Sequence, residues 1–239
     1  MKLPKLIDPC PIIDVCIDIR FETNLPLEAI FGMLYACFRD EYTEHEKLPI
    51  NQIPEEIRII DKNLWFQPHY RLKSDPFVIN IGPRSISFGQ TGDYVGWDDL
   101  FIKIKDVFEK VTNAGIYNNV SRMGLRYINF SKEYNIFDFL NINLDAQGYD
   151  LDMNQTHLSS SIISGDFNAR LNLASNATVT SKNTSKTGSL FDIDVYTEPD
   201  GGIDPASLSE IIDAAHLEEK KIFFGMLKPE ALKNLNPQY

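Results

Sequence analysis

Nothing in the 239 residues approaches the roughly 20 consecutive apolar residues of a membrane span, and Met1 to Pro11 carries two lysines without an apolar core of signal-peptide length. A soluble, cytoplasmic protein is therefore expected. Cysteine is scarce: Cys10, Cys16 and Cys37 make an odd count without CxxC spacing, which signals neither a disulfide framework nor a zinc site. Small buried thiols are the expectation. Basic residues are outnumbered, 23 against 34 acidic, and the resulting net charge of −11 disfavours nonspecific binding to nucleic acid or anionic lipid. The four histidines, His45, His69, His157 and His216, show no i, i+4 pairing, and there is no G-x-S-x-G, Walker loop or Rossmann fingerprint. No cofactor is called for. Five Asn-x-Ser/Thr sequons, at Asn119, Asn129, Asn154, Asn176 and Asn183, reflect only a chain rich in these residues.

At 43% hydrophobic, the chain has ample material for a core. Val120 to Phe130 is its most tightly specified stretch. As a strand it sets Met123, Leu125 and Tyr127 on one side and Arg122, Gly124 and Arg126 on the other, the two arginines roughly 13 Å apart. Pro11 to Phe21 alternates in the same way. Asn24 is a candidate cap for a helix from Pro26 to about Tyr42, with Leu27, Ile30, Phe31, Leu34 and Phe38 inward. A meander is read next, with strands at Ile57 to Asp61, Leu64 to Gln67, His69 to Lys73, Phe77 to Ile81 and Ser85 to Phe88, the last two parted by a Gly82-Pro83 bend. A second amphipathic helix spans Trp97 to Asn113 and stops at Gly115.

Beyond the central strand come a short helix at Ile136 to Leu140, a loop from Asn141 to Thr156, and strands at Ser159 to Ile163, Asp166 to Leu173 and Leu190 to Tyr196. Thr178 to Gly188 reads as a mobile hairpin tip. Asp204 as cap and Pro205 at the first position open a long helix to about Lys228, and a tail helix covers Pro229 to Leu235. The class is α+β, antiparallel sheets against long amphipathic helices. Residues 1–115 and 116–239 each run strand, helix, strands, long helix, which suggests a tandem pseudo-repeat fused into one compact unit.

The polar constellation joins three strands: Asp14 and Asp18, Arg122 and Arg126, Asp192 and Asp194. Opposite charges on neighbouring strands can pair, so structural ion pairs of Arg126 with Asp192 or Asp194 are the plainer reading. The sharper reading is a concave pocket in which the arginines take an anionic ligand by bidentate hydrogen bonds. A metal-dependent hydrolase would gather Asp14, Asp18, Asp192, Asp194 and Glu198 around a cation, but nearby arginines would oppose it, and no metal site is assigned. Tyr94 and Trp97, flanking Gly96, either staple a helix to the sheet or line a pocket. His216 reads as a boundary histidine satisfied by backbone or water.

Gly82-Pro83 with Ile86, Tyr94-x-Gly96-Trp97 before a helix, Arg122-x-Gly-Leu-Arg-Tyr-Ile-Asn129, and Asp192-Ile-Asp194 ahead of His216 and Phe223 resemble a sporadically distributed prokaryotic family of about this length, and Pro11-Ile-Ile-Asp-Val15 also fits. Such proteins have no assigned activity, so the resemblance hands over no catalytic residue. Their patchy distribution implies mobile-element, toxin–antitoxin or phage-conflict loci. The expectation that results is a binding or regulatory accessory protein, engaging a protein partner or small anion through the arginine-bearing sheet face or an exposed edge, and able to form a homodimer through its edge strands.

Overall fold

The computed structural model describes residues 2–181 and 184–239; Asn183, and with it part of the expected hairpin tip, lies outside them. The chain is α+β. Its nine strands form an antiparallel sheet in the order β2-β3-β4-β5-β1-β6-β9-β8-β7. In chain order these are β1 (Ile12–Glu22), β2 (Glu44–Lys47), β3 (Tyr70–Ser74), β4 (Phe77–Ile81), β5 (Ser85–Thr91), β6 (Asn119–Ser131), β7 (His157–Ser164), β8 (Phe167–Ser181) and β9 (Thr184–Thr197). The helices are α1 (Leu27–Phe38), α2 (Glu55–Ile60), α3 (Trp97–Asn113), α4 (Ile136–Phe139), α5 (Leu208–Met226) and α6 (Pro229–Asn234). Among the described residues, no helix is long and apolar enough to cross a membrane.

Contacts divide the chain into two compact units. One comprises Val15–Leu125 and Tyr196–Ala214, the other Met1–Asp14, Arg126–Val195 and Ala215–Tyr239. In the first, period-two patterning of β1 buries Val15, Ile17, Ile19 and Phe21. The antiparallel ladders from β2 through β5 add Leu72, Ile79, Ile81, Ile86 and Phe88. Helix α1 buries Ile30, Leu34 and Phe38, a four-residue repeat along one face, and α3 buries Leu100, Ile104, Val107, Phe108 and Val111. The cap of α1 is the backbone of Pro26, not Asn24; the neighbouring loop is tied instead by Leu25 N–H donating to Thr23 Oγ1. Gly115, at φ 65°, ends α3 as read from the sequence.

The meander differs from expectation between residues 43 and 67. Ile57 to Asp61 is not a strand but most of α2, and Leu64 to Gln67 is a 3₁₀ turn (Lys62–Leu64) with its exit. Pro54 precedes Glu55 and Glu56 in the first turn, an entry signal that outweighs the β-branched run. The polar Glu44–Lys47, left without an element in the sequence reading, is edge strand β2. Residues 66 and 67 fold back over the β4–β5 turn, where Ser85 donates to Phe66 O at 2.7 Å. A Cβ on Gly82 would meet Gln67 O at 2.8 Å. That backbone approach is what the glycine permits.

In the second unit β7 and β8 pair along their full register from His157↔Ala174 to Ser164↔Phe167. Ala169, Leu171 and Leu173 on β8, Phe191, Ile193 and Val195 on β9, and Tyr127 on β6 are buried with Ala215, Ile222 and Phe223 of α5. Phe191 stacks on Phe223 at 5.5 Å. Strands β8 and β9 extend well past their expected ends, because alternating Thr, Ser and Asn still pair across them, as Thr180 with Ser185 at 3.0 Å. Cys10 and Cys37 are exposed and Cys16 half-buried, so the expectation of buried thiols fails. Cys37 sits on the solvent side of α1 beside the inward Phe38.

Gly82→Ala should lower stability by about 1–3 kcal/mol, since the backbone over it cannot yield as a side chain would; urea unfolding midpoints measure this.

Candidate functional site

Arg122, on β6 within the first unit, is buried and fully engaged. Its Nη1 donates to Asp18 Oδ1 at 3.0 Å, its Nε lies 3.2 Å from Glu198 Oε1, and its guanidinium stands 4.7 Å from the Tyr196 ring centroid. The side chain curls back over its own strand. A Cβ on Gly124 would lie 2.5 Å from Arg122 Nη1 and 2.9 Å from Cζ, so the glycine between the arginines is the space that one of them fills. Two carboxylates and an aromatic face satisfy the charge that burial would otherwise make costly.

Arg126 belongs to the other unit and is 49% exposed, whereas the Asp192 side chain it holds is only 4% exposed. The pair is bidentate, Nε to Oδ1 at 2.7 Å and Nη2 to Oδ2 at 2.8 Å. Asp192 Oδ2 also accepts from Asn172 Nδ2 at 3.0 Å, and Asn172 Oδ1 accepts from Ser159 at 2.8 Å. One polar chain thus crosses from Arg126 on β6 through Asp192 on β9 and Asn172 on β8 to Ser159 on β7. Asp14 and Asp194, both half-buried, stand in this same unit on β1 and β9.

Of the aromatic pair, Trp97 donates from Nε1 to Asp213 Oδ1 at 2.9 Å and stacks on Phe101 at 5.1 Å. It fastens α3 to the start of α5. Tyr94 is half-buried in the segment leading to α3. The constellation is therefore gathered by ion pairing: Arg122 with Asp18 and Glu198 in one unit, Arg126 with Asp192 in the other. A separate cleft of about 250 Å³ lies between α3 and the approach to α5, bordered by Lys105, Glu109, Thr112, Ala206 and Ser209. None of the residues singled out from the sequence lines it. Among the described residues, no three histidine, cysteine, aspartate or glutamate side chains converge as metal ligands.

The sequence reading missed two features. Ile57, Ile59 and Ile60 are 52%, 63% and 80% exposed on α2. The helix is tied down by Arg58, whose Nε donates to Ile53 O at 3.0 Å and whose Nη1 donates to His69 Nδ1 at 2.8 Å, and by Trp65, whose Nε1 donates to Ile59 O at 2.8 Å. The Pro-Glu-Glu entry could have revealed the helix, and with it the exposure of a three-isoleucine run. The second is Glu219 on α5, buried beside the likewise buried Glu218 in a charged run that reads from sequence as a solvated face.

His69, His216 and Glu219 are each shifted by burial away from their ordinary values. Burial, with Arg58 adjacent, holds His69 down to about 4 from an ordinary 6.5. Burial holds His216 down to about 3, with Lys220 assisting, and the Tyr127 hydroxyl lies 3.0 Å from its Nδ1. Burial pushes the Glu219 carboxyl up to about 8 from an ordinary 4.5, against the opposing pull of Lys220.

A scan against protein-family models and a search of curated proteins both find no match to this chain.

Gly124→Ala should displace Arg122 from its carboxylates and cost about 3 kcal/mol, the scale of breaking a buried ion pair, read by chemical denaturation. Stability should also peak near pH 6.5. Both histidines are neutral when folded, so their contribution is complete above the ordinary 6.5 and is lost as pH falls toward 4 and 3. Glu219 is protonated when folded, so its contribution is complete below the ordinary 4.5 and is lost as pH rises toward 8. Between those two ordinary values the histidines outnumber it. Thermal melts should fall from pH 6.5 to 8 in the native protein, and Glu219→Gln should flatten that alkaline limb.

Proposed function

We propose that this protein is a cytoplasmic binding or regulatory accessory module that docks on a protein partner through α2, in keeping with the mobile-element, toxin–antitoxin or phage-defence setting its resemblance implies. The observation that carries the reading is the exposure of Ile57, Ile59 and Ile60 on a helix that buries almost nothing of its own. Ile57 and Ile60, three residues apart on one face of the helix, form an exposed apolar pair of the kind that marks interaction sites. Arg58 and Trp65 hold the helix in place, so little ordering entropy is lost on docking. Glu55 and Glu56, exposed, and Asp61, half-buried, frame the isoleucines. The complementary partner is a protein with an apolar groove rimmed by lysine or arginine, a helix-in-groove mode.

The competing reading is a metal-dependent hydrolase of a phosphorylated or nucleotide-like substrate. It asks Arg122 and Arg126 to hold phosphate while Asp192 holds a cation, yet each guanidinium already holds a carboxylate and Asp192 is bound by a cationic neighbour. That engagement favours the accessory module. The element order β1-α1-β2-α2-β3-β4-β5-α3 followed by β6-α4-β7-β8-β9-α5, with α2 as an insertion in the first half, also supports a tandem pseudo-repeat of long amphipathic helices packed on sheet.

The tagged protein should retain one partner in stoichiometric amount, and Ile57→Ser with Ile60→Ser should abolish retention with a melting temperature within experimental error of the native one. Arg126→Ala should keep the partner. Absence of a stoichiometric partner, or equal retention by the serine variant, removes the reading.

A further inference from the structure

The two edges of the sheet are built on opposite principles. Edge strand β2 is four residues long and entirely ionisable, Glu-His-Glu-Lys, with Glu46 bridged to Lys73 at 2.8 Å and to Arg71 at 3.5 Å. Short, charged edges resist pairing with another strand. At the other end of the strand order, β7 runs eight residues as His-Leu-Ser-Ser-Ser-Ile-Ile-Ser, about 27 Å at roughly 3.4 Å per residue, with no aspartate, glutamate, lysine, arginine or proline. Ile163 on it is 84% exposed. Nothing in its side chains protects this edge.

The strand is also fixed at both ends before any partner arrives. Ser159 terminates the polar chain that starts at Arg126, and Ser164 donates to Glu218 of α5, which Lys221 holds at 2.8 Å. A preformed edge loses little freedom on pairing.

We propose that the occupant of this edge is a second copy of the chain, joined to it antiparallel along β7 about a two-fold axis. Charge selects the copy's own edge. Molecules carrying −11 each repel one another over most of their surface. An isologous contact brings two surfaces of the same net charge together, and a charge-free patch does so without a like-charge penalty. β7 is such a patch.

Register follows from the pleat. Opposed residues of an antiparallel pair share a face, so even-numbered residues must meet even-numbered ones if the two buried faces are to align. The buried face of β7 carries Leu158, Ser160 and Ile162, which lie opposite Leu173, Leu171 and Ala169 of β8. Centring the pair on Ser160 sets Leu158 of each copy against Ile162 of the other, and on the solvent face sets Ser159 against Ser161 and Ile163 against His157. The apolar pair Leu158–Ile162 is then formed twice.

The test is sedimentation equilibrium of the intact protein over a dilution series, with Ser161→Glu as the diagnostic variant. Ser161 faces Arg170 across the β7–β8 ladder, so the introduced carboxylate gains a cross-strand partner within the monomer. Across the two-fold axis Ser161 of one copy is opposite Ser159 of the other, so the two introduced carboxylates are diagonal neighbours on one face, within reach of each other, and repel. The native protein should sediment at twice its 27.3 kDa mass at the upper concentrations and dissociate on dilution. Ser161→Glu should remain monomeric at concentrations where the native protein is dimeric, with an unchanged or higher melting temperature. A native protein that stays monomeric throughout overturns the proposal, and so does a Ser161→Glu variant that dimerises as the native does.

Discussion

Asp192 imposes the constraint on which its unit depends. A carboxylate buried to 4% side-chain exposure in the middle of β9 has to be paired or neutralised, and the sheet pairs it twice, with Arg126 and with Asn172. Satisfying one oxygen through Asn172 commits the other end of that amide to Ser159, and so the requirement of a single buried charge is passed strand by strand to β7. The edge is positioned by the same bonds that make the interior tolerable.

Arg122 solves the inverse problem in the other unit. There the buried group is the cation, and two carboxylates from separate strands and loops approach it while its own strand gives up a side chain at Gly124 to make room. The two arginines of β6 look equivalent in one dimension, four residues apart on one face. Their environments make one an interior anchor and the other a half-exposed clamp over an interior anion. Neither arrangement leaves a guanidinium waiting for ligand, which moves attention from the polar face to the two surfaces whose chemistry is unusual for exposed protein: the isoleucines of α2 and the uncharged edge β7.

These surfaces differ in how they reach a partner. α2 offers side chains and little backbone, suiting a groove that can enclose them. β7 offers backbone donors and acceptors with small side chains, suiting another strand. The acidic balance of the chain bears on both, favouring a basic rim around one and permitting self-association at the other.

Wherever a pattern is local, it was readable from the chain alone. The alternation in β1 and β6, the inward repeat of α3, the Asp204-Pro205 opening ahead of α5 and the stop at Gly115 depend on neighbours within a few residues, so composition and spacing determined them. The run Ile57 to Ile60 misled because β-branched residues favour strands, while the Pro-Glu-Glu entry and the bonds of Arg58 to Ile53 and His69 decided for helix. The pairing of Arg126 with Asp192 was readable as one of two choices, Asp192 or Asp194, whereas the partners of Arg122, the burial of Glu219 and the exposure of β7 lie further still from the linear pattern. Each depends on which strands become neighbours and which one is last in the sheet. That is set by long-range pairing of the folded chain: the sequence by itself determined the elements and their polar and apolar faces, and only the tertiary structure decided which charges are consumed inside and which edge remains to be used.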